Sequence, residues 1–335
     1  MSKKILDVQN LKTTFYTASG EIRAVNDVSY YVDEGEMVAI VGESGCGKSV
    51  TQMSVMQLVQ SPPGKIIGGK VIFDGRDLLK LREREMRTIR GRDISMIFQE
   101  PMTALNPVYT VGNQLVEVIR KHRKISAMEA KQVAIEALEH VAIPDPAARM
   151  QNYPFEMSGG MRQRVCISLA LACQPKLIIA DEPTTALDVT VQAQIMELLK
   201  KLSKEDHYSM IVVTHNLGLV TRYADRIYVM YAGKVVESGT TEDIITNPMH
   251  PYTQGLLSSV PKLSDNATKR LVPIPGAPPD LANMPDYCAF YPRCPYACDF
   301  CKKNPVPPME CVDQRNHYTA CYFADSLAER RKSNE

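Results

Sequence analysis

The sequence predicts an α/β fold built around a mostly parallel sheet. Short apolar runs rich in β-branched residues are typical of strands that are buried on both faces, and they occur at 37–41, 177–180, 210–214 and 227–231. Helical patterns separate the later runs, at 161–173, 190–204 and 216–223. Strands that alternate with helices along a chain favour a parallel sheet.

Local signals predict the remaining elements. Alternating apolar residues predict strands over 5–41, and residues 48–60 lack Pro and Gly and predict a helix. Strands around the turn at Asp74, with a charged helix at 81–91, are predicted over 66–98. Residues 113–142 predict a helix, in which Ser126 and Glu129 have the spacing of a capping box.

Composition excludes several function classes. The chain has 335 residues, with 39 Lys and Arg against 38 Asp and Glu, so its net charge is +1. We expect no nucleic-acid partner, because this balance gives no general attraction for polyanions. No apolar run approaches the roughly 18 residues of a membrane-spanning helix, and no secretory signal is expected at the N-terminus. Any work at a membrane would therefore need other subunits.

Residues 42–49, Gly-Glu-Ser-Gly-Cys-Gly-Lys-Ser, predict a P-loop. They fit the pattern G-x-x-x-x-G-K-[ST], follow an apolar strand and open a helix, which is the context that this motif requires. Backbone N–H groups of such a loop point at phosphate oxygens, and the helix N-terminus adds further donors. Lys48 would place its charge on the β- and γ-phosphates, and Ser49 would offer its hydroxyl to Mg²⁺.

Two carboxylates follow a buried strand downstream. Asp181, at the strand end, is placed to reach Mg²⁺, and Glu182 is placed to polarise an attacking water as the general base. His215 and Gln99 also follow strands, but a single polar residue at a strand end indicates no role by itself.

Together these residues resemble the nucleotide-binding subunit of an ABC transporter. The match covers about residues 5–250, and its motifs have the family's order and spacing. These motifs are the P-loop, Gln99, residues 157–161 (Met-Ser-Gly-Gly-Met), Asp181 with Glu182, residues 185–188 and His215. The Ser-Gly-Gly segment is the most specific element, because P-loop proteins at large lack it. The resemblance implies a P-loop NTPase fold with a mostly parallel sheet, an antiparallel β subdomain and a helical subdomain at about 100–160.

The resemblance also implies a role for each matching residue. ATP and Mg²⁺ would be bound by Gly42, Ser44, Gly45, Cys46, Gly47, Lys48, Ser49, Val50 and Asp181. Phe15, with Tyr16 as a close rival, would stack on adenine. Gln99 would sense Mg²⁺ and the γ-phosphate, Glu182 would be the catalytic base, and His215 would contact the γ-phosphate.

Part of the site is implied to act on a partner subunit. Ser158 and Gly160 would close over the nucleotide that is bound to the partner's P-loop, and Asp188 would lie at the dimer seam. ATP that bridges this interface would stabilise the closed dimer, and hydrolysis would reopen it. Met157 and Met161 stand where the family usually has Leu and Gln.

The C-terminal part of the chain resembles a narrower group, the peptide-importer ATPases. The resemblance lies in residues 250–253 (His-Pro-Tyr-Thr) and 273–279, with Cys288 and Cys294 beyond them. Residues 159–164 resemble the first of the two ATPases that such importers carry. This implies ATP hydrolysis that powers import of peptides, or of a related solute such as a nickel complex, from the cytoplasmic face of the cell membrane. The implied partners are a second ATPase subunit, two membrane-spanning permease subunits and an extracytoplasmic solute-binding protein.

Most of the nine cysteines crowd into one segment, at Cys288, Cys294, Cys298, Cys301, Cys311 and Cys321. A reducing compartment is expected, which disfavours disulfides, and spacing alone leaves zinc and an iron–sulfur cluster open because both take four thiolates. The resemblance implies a [4Fe–4S] cluster on Cys288, Cys294, Cys301 and Cys321, with a structural role in a segment poor in apolar residues.

The predicted organisation is an ABC ATPase domain (1–250), a Pro-rich connecting segment (251–287) and a Cys-rich metal-binding extension (288–323). Two other function classes are weighed against the importer subunit: a soluble ABC-type ATPase that is not coupled to transport, and an iron–sulfur electron-transfer protein in which nucleotide binding is regulatory. The single P-loop and the lack of a heptad run disfavour the soluble ATPase.

Overall fold

A computed structural model describes residues 3–18, 20–185, 187–260, 273–312, 316–324 and 326, without the side chains of residues 101 and 102. The chain forms two compact units. The first unit draws on Met1–Ile5, Val32–Met37 and Lys80–Val213, and the second on Leu6–Tyr31, Val38–Leu79 and Thr214–Glu335.

Strands and helices alternate through much of the chain, as predicted. The strands are β1 (Lys4–Thr17), β2 (Gly20–Asp33), β3 (Met37–Val41), β4 (Gly64–Phe73), β5 (Arg76–Asp77), β6 (Ile94–Ile97), β7 (Leu177–Asp181), β8 (Ser209–Thr214), β9 (Arg226–Tyr231), β10 (Lys234–Thr240), β11 (Glu310–Cys311) and β12 (Tyr318–Thr319).

The helices are α1 (Lys48–Val55), α2 (Glu83–Ile89), α3 (Pro101–Ala104), α4 (Val111–His122), α5 (Ala127–His140), α6 (Pro146–Arg149), α7 (Gly159–Leu171), α8 (Val189–Glu205), α9 (Leu217–Val220), α10 (Thr241–Thr246), α11 (Pro251–Ser258) and α12 (Asp299–Lys303). Single 3₁₀ turns lie at Leu78–Lys80, Pro154–Glu156 and Tyr291–Arg293. In the described part of the chain, none of these helices has the length and apolar character needed to cross a bilayer.

The first unit contains a parallel sheet in which β7 lies between β6 and β8. Every residue of β7 and β8 is buried, which is why their sequences are near-continuous apolar runs without polar alternation. In register, Ile97 of β6 pairs with Ala180 of β7. The carboxyl ends of these two strands therefore meet at one edge of the sheet, and the residues that follow them are neighbours.

The helical structure predicted over 113–142 forms as two helices, α4 and α5. Arg123 takes an extended conformation at the end of α4, and Ser126 begins α5 with the predicted capping box. The Ser126 hydroxyl accepts from the Glu129 N–H at 3.2 Å, and an N-cap residue has non-helical backbone angles. Because Ser126 is the N-cap of α5, its backbone is not helical, and α4 therefore cannot continue through this position into α5. Ala134, Leu138 and Val141 are buried.

The second unit contains two sheets. In one, β3 and β9 are parallel, and β10, β12 and β11 follow with antiparallel pairing. In the other, the antiparallel order is β2-β1-β4-β5, so the antiparallel part that the family resemblance implies is present. The predicted end of the first helix is wrong: α1 stops at Val55 because Gln57 takes a left-handed backbone conformation (φ 49°), well before the prolines at 62 and 63.

Candidate functional site

The predicted P-loop lies between β3 and α1, and two of its glycines, Gly42 and Gly47, lie where a side chain has no room. Gly47 has φ 101°, and a Cβ there would overlap the carbonyl oxygen of Ala24. A Cβ on Gly42 would overlap the carbonyl oxygen of Met230. The loop is anchored from outside as well, since the Gly233 N–H donates to the carbonyl of Cys46 at 2.9 Å. These contacts make the loop's path dependent on glycine.

Lys48 is folded back over this loop. Its Nζ donates to the carbonyl oxygens of Gly42 at 2.8 Å and Glu43 at 2.9 Å, and the residue is only 4% exposed. The ammonium group thus spans the concave side of the loop, where the motif predicts phosphate oxygens. Carbonyl acceptors can be exchanged for phosphate oxygens, which are stronger partners for a cation because they carry charge.

The remaining P-loop residues differ in exposure. Ser44 and Gly45 are exposed, Cys46 is buried, and Ser49 and Val50 are half-buried in the first turn of α1. Burial raises the pKa of the Cys46 thiol, so this cysteine is a poor nucleophile in the loop. The tip of the loop is therefore its accessible part.

Phe15 and Tyr16 project from opposite faces of β1, because neighbouring residues in a strand alternate. Thr13, on the Phe15 face, contacts Ser54 of α1 through the two hydroxyl oxygens at 2.8 Å. Phe15 is half-buried and pairs with Gly64 of β4, whereas Tyr16 is 49% exposed. Of the two candidates, Phe15 is thus the one on the strand face that meets the helix of the P-loop.

Glu182 is held by two side chains of the first unit. The amide of Gln99 donates to Glu182 Oε2 at 3.0 Å, and the hydroxyl of Thr185 donates to the same oxygen at 3.0 Å. The backbone of Glu182 has φ 46°, a left-handed conformation that costs energy in a residue with a side chain. Its N–H donates to the Val213 carbonyl at 2.9 Å, which helps to hold that conformation.

Two further predicted residues lie at strand ends. Asp181 is the last residue of β7 and is buried at 6% exposure. His215 follows β8 and is exposed. Both thus have the strand-end positions predicted from sequence.

Ser158 and Asp188 are both helix N-caps in the first unit. The Ser158 hydroxyl accepts from the Met161 N–H at 3.3 Å at the start of α7, and the Asp188 carboxylate accepts from the Val191 N–H at 3.0 Å at the start of α8. Gly160 faces Val191, and a Cβ on it would approach Val191 Cγ1 to 3.0 Å. The α7 N-terminus therefore combines a hydroxyl with the backbone N–H groups of a first helical turn, an arrangement that favours anions.

The second unit brings the four predicted cysteines together around one cavity. Cys288, Cys294, Cys301 and Cys321 line it with His250 and Phe290. Burial raises the pKa of Cys294 to about 12 and that of Cys321 to about 11, and the neighbouring thiols add to both shifts. Four thiols that share an apolar cavity have no counter-charge there, so their ionised forms are unfavourable unless a cation joins them.

The other two cysteines of the segment are not part of the cavity lining. The Sγ of Cys298 is 3.7 Å from that of Cys301, and Cys298 and Cys311 are both exposed and absent from the cavity lining. Within the described segments, no group of His, Cys, Asp and Glu side chains has the spacing to hold a metal ion.

Sequence reasoning missed several residues at these sites. Thr185 lies in a quoted motif but received no role, although its spacing from Glu182 is that of one turn. Arg293 and Tyr252 contact Glu43 of the P-loop from far along the chain, and nothing local in the sequence marks that contact.

Family models match two parts of the chain. The model described as "ABC transporter" matches residues 25–185, which include the P-loop, Ser158 and Glu182. The model described as "Oligopeptide/dipeptide transporter, C-terminal region" matches residues 236–301, which include Cys288 and Cys294.

Curated relatives cover nearly the whole chain. It is 50% identical over 327 residues to the dipeptide transport ATP-binding protein DppD of Bacillus subtilis, covering 98% of this chain and 97% of that protein. It is 52% identical over 322 residues to the oligopeptide transport ATP-binding protein OppD of the same organism, covering 96% and 89%.

Solved structures of ABC cassettes share the fold. A post-hydrolysis dimer of the ATP-binding cassette MJ0796, bound to ADP and phosphate, is 31% identical with a TM-score of 0.63, covering 70% of this chain and 98% of that one. The cbiO1 subunit of an ABC transporter complex from Clostridium perfringens is 27% identical with a TM-score of 0.62, covering 72% and 90%. Together with the relatives that span its full length, this shows that the chain belongs to the ATP-binding subunits of peptide ABC transporters.

Proposed function

We propose that this chain binds and hydrolyses ATP to power the import of peptides across the cell membrane. The observation that carries the proposal is the presence of both an ABC match and an oligopeptide/dipeptide C-terminal match in one chain, with relatives named for dipeptide and oligopeptide transport. The alternatives are a soluble ATPase that is not coupled to transport and a subunit that serves another solute, such as a nickel complex.

In the proposed reaction the P-loop binds the triphosphate. Lys48 exchanges its two carbonyl acceptors for phosphate oxygens. Ser49 and Gln99 would hold Mg²⁺, which would neutralise charge on the phosphates. Glu182 accepts a proton from the attacking water, and the hydrogen bonds from Gln99 and Thr185 orient its carboxylate for that task. No covalent intermediate is needed, because positioning and charge supply most of the catalysis.

Other residues complete the nucleotide site in this proposal. Phe15 stacks on adenine, since its side chain lies on the strand face that meets α1. Asp181 supports Mg²⁺ and His215 contacts the γ-phosphate. Ser158 and Gly160 close over ATP on a partner ATPase, with Asp188 at the seam; the capped N-terminus of α7 supports this role.

ATP turnover tests the catalytic assignment. Glu182→Gln should lower turnover by about 10²-fold or more while ATP binding is retained, because the amide cannot accept the proton. Lys48→Ala should weaken ATP binding itself. Glu205→Gln, an exposed change at the end of α8, is the matched control and should leave both quantities unchanged. Full turnover in Glu182→Gln would contradict the assignment.

Transport assays test the substrate class. Membrane vesicles that contain the complete transporter should take up a labelled di- or oligopeptide only with ATP, and not with the Glu182→Gln subunit. Uptake of nickel complexes in place of peptides would support the other-solute alternative. ATP turnover without any effect of membrane subunits would support the soluble ATPase.

The proposed assembly has a second ATPase subunit, two permease subunits and an extracytoplasmic solute-binding protein. The second ATPase is a different chain if this one is the first-ATPase type that residues 159–164 resemble. We place the chain peripherally at the cytoplasmic face of the membrane. The ATPase domain (1–250), Pro-rich connector (251–287) and Cys-rich extension (288–323) stay a prediction.

We also propose that the four cavity cysteines bind a [4Fe–4S] cluster. Their convergence on one apolar cavity supports it, because a polynuclear cluster takes thiolates farther apart than a single ion does. A bound cluster would supply thiolate cross-links that hold the segment in place.

Anaerobic purification tests the cluster. The full chain should contain iron and acid-labile sulfide and absorb visible light, and Cys288→Ser should lose all three. Cys311→Ser is the control, because Cys311 is exposed and outside the cavity lining. Zinc in stoichiometric amount, with no iron or sulfide, would contradict the cluster.

A further inference from the structure

A buried ion pair ties the P-loop to the cysteine segment. Glu43, the second residue of the loop, accepts two hydrogen bonds from the Arg293 guanidinium, at 2.6 Å to Oε2 and 2.8 Å to Oε1. The Arg293 side chain is only 4% exposed and that of Glu43 is 25% exposed. A two-pronged arginine–carboxylate pair fixes both distance and orientation, so it specifies where Glu43 lies more narrowly than a single contact does.

The rest of the Arg293 side chain is held equally firmly. Its Nε donates to the Pro275 carbonyl at 2.9 Å, and Nη1 reaches the Tyr231 hydroxyl at 3.3 Å. The guanidinium also lies over the rings of Tyr231 and Phe290, with centroid distances of 5.8 and 5.9 Å. Arg293 therefore cannot follow a moving Glu43 without breaking several contacts.

Glu43 in turn connects to the groups that would bind phosphate. Its carbonyl accepts from Lys48 Nζ at 2.9 Å, and its N–H donates to the Tyr252 hydroxyl at 2.8 Å. The loop has glycines on both sides of it, at Gly42 and Gly45, and glycine gives the backbone little intrinsic stiffness. The ion pair between the Glu43 side chain and Arg293 is thus one of the main contacts that limit movement of the loop tip.

Two of the cavity cysteines flank the turn that carries Arg293. In the 3₁₀ turn Tyr291–Arg293, the Tyr291 N–H donates to the Cys288 carbonyl at 2.9 Å, and the Cys294 N–H donates to the Tyr291 carbonyl at 3.3 Å. Cys288 and Cys294 both line the shared cavity. Any change in how these thiols are held is therefore transmitted to the backbone of Arg293.

We propose that Arg293 is a positioning residue for the nucleotide loop, and that through it the state of the cavity cysteines sets the affinity of the P-loop for ATP. This inference rests on the ATP binding proposed above but not on transport. It also does not depend on which metal or cluster the cysteines hold, because the coupling runs through side chains and backbone of this chain.

The first test measures equilibrium binding of a fluorescent ATP analogue to the full chain. Arg293→Gln and Glu43→Gln should each weaken binding about tenfold, because each leaves a largely buried partner unpaired beside the loop. The double variant should be no weaker than the worse single variant. Arg87→Gln, which breaks an exposed pair with Glu83, is the matched control and should bind like wild type.

Binding of the ATP analogue by wild type and by the Arg87→Gln control establishes the ATP site separately. Absence of binding in wild type would overturn the proposed function and this inference with it, whereas loss confined to the Arg293 and Glu43 variants concerns the positioning role. Unchanged affinity in folded Arg293→Gln and Glu43→Gln would overturn the positioning role. Thermal unfolding without nucleotide shows which variants are folded. If Arg293→Gln does not fold, Glu43→Gln decides the question, since its carboxylate is partly exposed.

The second test asks whether the cysteines act through Arg293. Cys294→Ser should weaken binding of the ATP analogue in the wild-type background, by up to about tenfold. The same change should have little further effect when Arg293 is already Gln. Cys311→Ser should not change the affinity in either background. No effect of Cys294→Ser, or an equal effect in both backgrounds, would overturn the coupling.

Discussion

The side-chain amide of Gln99 donates to the carboxylate of Glu182 at 3.0 Å, although 83 residues separate them in the chain. Parallel pairing of β6 with β7 makes this contact, because it ends the two strands at the same edge of the sheet. The contact limits rotation of the Glu182 side chain and directs its other oxygen away from Gln99.

Removal of the Gln99 amide should slow ATP hydrolysis. We expect Gln99→Ala to lower turnover about tenfold with ATP affinity changed much less, since a lost orienting hydrogen bond costs roughly 1 to 1.5 kcal/mol. Gln132→Ala removes a comparable exposed amide–carboxylate contact, with Glu136 on α5, and should leave turnover unchanged. Steady-state kinetics of both variants provide the comparison, and equal turnover would contradict an orienting role for Gln99.

The P-loop should not accept a methyl group at Gly47. Its φ of 101° and the overlap of an added Cβ with the Ala24 carbonyl predict that Gly47→Ala lowers the free energy of unfolding by roughly 1 to 3 kcal/mol and weakens ATP binding. At Gly68 the nearest atom to an added Cβ is Lys12 Cδ at 3.9 Å, so Gly68→Ala should fold and bind normally. Denaturant unfolding and nucleotide titration measure both effects. Normal binding by Gly47→Ala would show that the loop can take another path.

Two serine N-caps, Ser158 of α7 and Ser126 of α5, allow a comparison between a cap proposed to act on nucleotide and a cap that only stabilises its helix. Ser158 and Ser126 accept from backbone N–H groups at 3.3 and 3.2 Å, so Ser158→Ala and Ser126→Ala should each cost about 1 kcal/mol of stability. Only Ser158→Ala should also lower ATP turnover of the assembled transporter, about tenfold, because Ser158 is proposed to reach the partner's nucleotide. Equal turnover in the two variants would remove Ser158 from the site.

Acid should destabilise the second unit through His250. Burial lowers the pKa of this histidine from 6.5 to about 4, and its Nδ1 accepts from the Tyr252 N–H at 3.1 Å. Between these two pH values the unfolded chain binds a proton that the folded chain does not bind. The free energy of unfolding therefore falls as pH drops from 6.5 to 4, by about 3 kcal/mol from this group.

The variant His250→Asn keeps an N-cap acceptor but removes the titrating group. Denaturant unfolding at pH 7.5 and 4.5 should show a smaller loss of stability for His250→Asn than for wild type. The exposed His207→Asn is the control and should lose as much as wild type. An identical pH dependence in His250→Asn and wild type would contradict the assignment to His250.

The P-loop could be predicted from sequence because its parts are contiguous. Its eight residues need only one strand, one turn and one helix, and Gly42 and Gly47 lie where an added Cβ would overlap backbone carbonyls. The capping box at Ser126 was confirmed for the same reason. The end of α1 was predicted wrongly, because left-handed Gln57 has no distinctive residue type.

The chain order by itself determined that this protein has a nucleotide loop, an acidic strand end and a cysteine-rich segment, since each is encoded by neighbouring residues whose spacing sets their geometry. Only the tertiary structure decided that Arg293 forms an ion pair with Glu43, and that Thr185 and Gln99 both donate to one oxygen of Glu182. It also decided which cysteines line one cavity. Such contacts join residues far apart in sequence, and strand register and burial, not spacing, bring them together.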